Sequence, residues 1–84
     1  MARYEVTGGN GRGASAEQVA AALKAAGADN VRLRNAYGMS NQPKVATFSA
    51  ASADAAKILC ENACDILWPG DTSIMANLIA YEYE

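Results

Sequence analysis

The sequence predicts an α+β fold in the order βαββαβ, with a four-stranded antiparallel sheet carrying two helices on one face. Three observations carry that prediction. Apolar residues alternate at period two around Tyr4 and Val31, two serine-led segments repeat at helical spacing, and glycine, proline and asparagine punctuate the joins. At 84 residues the chain falls within the range of one domain, 1–84. A chain of this size buries only about 60% of its unfolded surface. Recognition is therefore expected on loops, helix backs or an open sheet face rather than in a deep cavity.

Arg3 to Thr7 alternates, with Tyr4 and Val6 on one side and Arg3, Glu5 and Thr7 on the other, which predicts a half-buried strand. The glycine-rich run Gly8 to Gly13 breaks it. Ser15, with Gln18 three residues on, forms a capping box that starts a helix. Val19, Ala20, Leu23 and Ala26 make one thin apolar stripe, and Gly27 closes the helix. Val31 and Leu33 then alternate with Arg32 and Arg34, giving a strand with a buried face and a basic face.

Asn35 to Pro43 reads as a loop or long hairpin before a third strand from Lys44 to Ser49. Either Val45 and Thr47 or Ala46 and Phe48 fit as the inward set of that strand. Ser52 caps a second helix, Asp54 complements its dipole in the first turn, and the helix continues to about Leu67. Trp68-Pro69-Gly70-Asp71 stops it, with Trp68 expected as a lid over the lower core. Asn77 to Tyr83 is the last strand.

The helix starts echo each other, Ala14-Ser15-Ala16-Glu17 against Ala51-Ser52-Ala53-Asp54, each after a strand. Two interleaved βαβ halves result, and over nearly the whole chain the plan resembles the ferredoxin-like architecture, a split βαββαβ. That architecture hosts many functions, so function is sought in the surface.

Seven Lys plus Arg against nine Asp plus Glu give a net charge of −2, too near neutral for bulk attraction to nucleic acid or an anionic membrane. Electrostatic recognition must be local. No run approaches the roughly 18 apolar residues of a membrane span and no apolar leader follows Met1, so a cytoplasmic location without a membrane partner is expected. Cys60 and Cys64, four apart on a helix, read as reduced core thiols. There is no histidine, the commonest metal ligand and general base. No metal, cofactor or catalytic residue is expected, and the chain reads as no enzyme.

Four surfaces are candidates. Gly9, Gly11, Arg12 and Gly13, between a strand and a helix N-terminus, have the order in which backbone N–H groups cradle an anion, although Ala14 stands where a phosphate loop needs lysine. Arg3, Arg32, Arg34 and Lys44, with Tyr81 and Tyr83, would put cations and rings on the open sheet face, as single-stranded nucleic-acid binding requires. Lys44-Val45-Ala46-Thr47-Phe48 shares a leading cation and Phe48 with the RNA-recognition motif but lacks its paired stacking aromatics. A plainly solvated version of this face would instead pair Arg32 and Arg34 with Glu5 and Glu82.

On the second helix Ala55, Ala56, Leu59, Cys60, Ala63, Ile66 and Leu67 form the apolar arc, while Asp54, Glu61 and Asp65 gather opposite around Ile58. An apolar anchor ringed by carboxylates suits a basic protein partner, such as a nucleic-acid-handling protein. The loop bearing Tyr37 and Met39 is the fourth candidate. The leading expectation is a non-catalytic protein-interaction module that occupies a partner's surface through the acidic helix face or this loop. In its small size and want of catalytic groups the chain is similar to phage-encoded inhibitors of host machinery such as anti-CRISPR proteins, in character rather than in motif. An open edge strand would also allow a homodimer.

Overall fold

In the computed structural model, which describes residues 1–8, 13–71 and 77–83, the strands are β1 (Ala2–Gly8), β2 (Asp29–Asn35), β3 (Lys44–Ala50) and β4 (Leu78–Glu82). The helices are α1 (Ala16–Ala25) and α2 (Ala53–Leu67), and a short 3₁₀ turn, Ala36–Gly38, follows β2. The strands pair antiparallel in the order β2-β3-β1-β4, so each half of the chain contributes one central and one edge strand. This is the ferredoxin-like α+β arrangement.

Local chemistry sets the helix starts. The Ser15 hydroxyl accepts from the Gln18 N–H at 3.2 Å while the Gln18 side chain accepts from the Ser15 N–H at 2.8 Å, completing the capping box. Ser52 accepts from the Ala55 N–H at 3.1 Å. Since α1 is only ten residues long, Ser15→Ala should cost about 1 kcal/mol. A drop in melting temperature of roughly 4–8 °C would show it. Gly8 ends β1 at φ +102°, where a side chain is strained, and a Cβ there would run into the Asn77 carbonyl.

Both helices pack on the face that carries Tyr4 and Val6 of β1 and Ala46, Phe48 and Ala50 of β3. Tyr4 pairs with Phe48 across the strands and their rings stack with centroids 5.9 Å apart. Six alanines, Ala20, Ala22, Ala46, Ala50, Ala56 and Ala63, are buried around them and let the layers approach closely. Phe48 and Leu23 are fully buried and supply the volume. The inward set of β3 is thus Ala46 and Phe48.

Three expectations need correction. Leu33 is 38% exposed and Val31 only half-buried, because β2 is an edge strand roofed by a short, alanine-rich helix. Ile66, expected in the α2 core arc, is 46% exposed. The α1 stripe includes Ala22 in the core, whereas Ala26 is only half-buried. Trp68 is half-buried against the core. Among the described residues, no helix is long and apolar enough to cross a membrane.

Candidate binding face

Strand alternation sorts the polar residues onto the sheet face away from the helices. Register pairs Glu5 with Thr47 and Tyr81, Arg3 with Ser49, Arg32 with Thr47, and Arg34 with Val45, so all of these share one face. Lys44 pairs with Asn35, one step out of phase, and falls on the helix side beside Ala14, Ala16 and Pro43. It therefore leaves the basic set in which the sequence placed it. Glu82 likewise pairs opposite the inward Tyr4 and does not serve the arginines.

Arg3 is held from four sides. Its guanidinium donates to the Tyr83 hydroxyl at 3.2 Å, the Asn30 carbonyl at 2.7 Å, Ser49 Oγ at 2.9 Å and Thr47 Oγ1 at 2.6 Å. Asn30 reaches this position through an irregularity of β2 between Asp29 and Arg32, with its own φ at +52°. Thr47 and Ser49 are consequently buried on the nominally open face, at 1% and 5% exposure.

Arg34 is held differently. Its Nε lies 3.1 Å from Glu5 Oε1, and its guanidinium carbon sits 4.2 Å from the centre of the Tyr83 ring. The same Glu5 oxygen accepts the Tyr37 N–H at 3.0 Å, so one buried carboxylate pairs an arginine and anchors the 3₁₀ turn. Tyr37 adopts φ +57°, a left-handed conformation uncommon for a bulky residue. Gly38 lies against Arg34: an added Cβ would come within 2.5 Å of the guanidinium. Burial pushes the Tyr83 phenol up, but hydrogen bonding to Arg3, Arg34 and Thr47 and the charge of Arg3 outweigh it, and the net direction is down.

These groups line a shallow groove of about 520 Å³, bounded by Arg3, Arg32, Arg34, Asn35, Gly38, Thr47 and Tyr83 together with Leu33. The Arg32 side chain is exposed and its guanidinium has no hydrogen-bond or ion-pair partner among the described residues. The face carries Arg3, Arg32 and Arg34 against Glu5 and Asp29. Exposed charges on the helices are Glu17, Asp54, Glu61 and Asp65 against Lys24 and Lys57. A chain of net charge −2 thus separates a cationic sheet from an anionic helix layer.

The other candidate residues lie apart from this groove. Asp54, Glu61 and Asp65 are exposed along α2 with Ile58, which is 57% exposed, and Ile66 joins them. Tyr37 and Met39 are exposed, yet the Tyr37 backbone is tied to Glu5, so this loop is an edge of the arginine face. Gly9, Gly11 and Arg12 lie outside the described residues; Gly13 is exposed. Among the described residues, no three His, Cys, Asp or Glu side chains are grouped to hold a metal ion.

Cys60 and Cys64 are free thiols, the first buried and the second half-buried. Burial above all, with Cys64 and Glu61 adding to it, pushes Cys60 from 9.0 up to about 12. Above pH 9 the unfolded chain loses a proton that the folded chain keeps, so this thiol makes stability fall as pH rises from 9 toward 12. Cys60→Ala is expected to flatten that decline, measured as the shift in urea midpoint between about pH 8 and about pH 10.

Compared with known proteins, the chain matches no family model, no curated protein and no solved structure.

Proposed function

We propose that this protein is a non-catalytic binding module that takes an anionic group on the arginine face of its sheet. One observation carries the reading: three guanidinium groups line one groove, and the buried carboxylate of that face, Glu5, forms an ion pair with Arg34 alone among the described residues. Arg3 and Arg34 are fixed before any ligand arrives, which lowers the ordering cost of binding, and Arg32 is free to contact the ligand. Guanidinium forks match the planar, multi-oxygen geometry of phosphate and carboxylate.

The test is thermal unfolding with pyrophosphate as the probe. A ligand that binds only the folded state at ten times its Kd adds about 1.4 kcal/mol. For a domain of this size that is roughly 6–11 °C in melting temperature. Arg32→Glu should abolish the rise; an unchanged melting temperature for the parent chain would refute the reading.

A second reading rests on α2, where Ile58 and Ile66 are exposed among Asp54, Glu61 and Asp65. Here the module docks a basic protein, in the manner of a small inhibitor that occupies a host surface, and a cytoplasmic location suits its free thiols. Reversing the three acidic charges should then weaken capture of a basic partner, and unchanged capture would dismiss it.

A further inference from the structure

We infer that the arginine face binds single-stranded nucleic acid, with Arg32 meeting a phosphate and Tyr81 stacking a base. The inference rests on the anion-binding reading above and names its ligand. Tyr81 supplies the reason. It is 55% exposed on β4 and, by its register opposite Glu5, lies on the same face as the arginines.

The two tyrosines of this strand end divide the work. Tyr83 is occupied, covered by Arg34 and hydrogen-bonded to Arg3. Tyr81 has neither contact and offers a ring to a planar partner. An isolated anion would need the guanidiniums alone. A ligand combining phosphates with flat rings uses both halves of the face.

Spacing fits the same ligand. Arg32 stands on β2 and Tyr81 on β4, at opposite edges of the sheet. Three strand spacings separate them, about 14 Å. Four-stranded sheets that bind RNA stack two or three splayed bases across such a width. A duplex is disfavoured on physical grounds: its bases are already stacked, and a flat sheet face presents no helix or ribbon to a major groove.

Charge polarity adds orientation. The anionic α2 surface repels a polyanion that approaches from the helix side, so a strand is steered to the sheet. The low overall charge is therefore compatible with a local polyanion site.

The experiment is fluorescence anisotropy of a labelled oligonucleotide of about 12 nucleotides, within the usual site sizes of single-strand binders. The parent chain is titrated at about 50 mM and 200 mM salt, alongside Arg32→Ala, Tyr81→Ala and the pyrophosphate melting series. Engagement of two or three phosphates predicts a salt slope of about −1.4 to −2.1, or roughly seven- to eighteenfold weaker binding at the higher salt. Arg32→Ala should reduce that slope by about 0.7. Tyr81→Ala should weaken binding about tenfold and leave the slope unchanged. Both residues are exposed, and matched melting curves would show that the variants fold.

No anisotropy change at low salt overturns the inference. If pyrophosphate still stabilises the chain in that case, the anion reading stands and only the nucleic-acid ligand falls; if neither probe acts, both fall. Binding that is insensitive to Tyr81→Ala and displaced equally well by polyglutamate also overturns it, in favour of an acidic protein ligand.

Discussion

Phe48→Ala is expected to destabilise the protein by about 3–5 kcal/mol, enough to remove much of the stability of a domain this small. Phe48 is fully buried at the centre of β3 and stacks on Tyr4, while much of the surrounding core is alanine. Alanine side chains have no rotamers with which to fill a void, so the cavity persists and the cost falls toward the upper end of that range. Phe48→Leu keeps most of the volume and should cost far less. Urea unfolding with an unchanged slope would measure both, and a loss below about 2 kcal/mol for the alanine variant would mean that the layers collapse onto the site.

Glu5→Ala is the second large effect. The carboxylate is 4% exposed and serves two donors, Arg34 and the Tyr37 N–H. Its removal takes the counter-charge from a half-buried guanidinium, which among the described residues keeps only the Asn35 carbonyl at 3.3 Å and the Tyr83 ring, and leaves the Tyr37 N–H without its acceptor, a loss of about 2–4 kcal/mol. Arg34 is 29% exposed and water can reach it, which keeps the figure below that of a fully buried pair. Glu5→Gln keeps an acceptor oxygen and should lose about half as much.

The same change has the opposite sign for binding. With Glu5 neutral, Arg34 gains a free positive charge in the groove, so Glu5→Gln should melt earlier yet hold pyrophosphate or an oligonucleotide more tightly. A purely structural carboxylate would show no such gain. Equal or weaker binding by a folded Glu5→Gln protein would contradict the proposed role of the face.

The fold was legible because the helix starts and one strand face are written in local chemistry. Ser15 with Gln18, and Ser52 with Asp54, mark ends that depend on neighbours within four residues. The register of β3 was not legible, for a physical reason. Its residues 46–50 are all buried, since helices cover one side and the Arg3 network covers the other. Burial on both sides removes the polar-apolar alternation that normally identifies the inward face.

The binding face was half legible. Arg32 and Arg34 announce a basic side of β2, and Glu5 is an obvious partner by type. Their geometry depends on β3 lying between β1 and β2, so that Arg34 reaches Glu5, and Arg3 reaches Asn30, across an intervening strand. No local pattern encodes such a reach. Tyr37 is exposed, as a contact loop requires, but nothing in the sequence reveals that its N–H turns back to Glu5. Lys44 differs from the basic set by a single step of alternation at a strand end, which composition does not reveal.

Core and binding face are interleaved along the same strands: Tyr4 and Val6 alternate with Arg3 and Glu5, and Ala46 and Phe48 with Thr47 and Ser49. A substitution in one set leaves the pleat, and so the facing of the other set, unchanged. Insertion or deletion within β1 or β3 has no such freedom, because one residue more or less in β3 would turn Phe48 into the arginine network and Thr47 into the helices, and in β1 it would exchange Tyr4 with Glu5. Length variation among descendants of this chain should therefore collect in the connections, and these two strands should keep a fixed length while their outward residues change ligands.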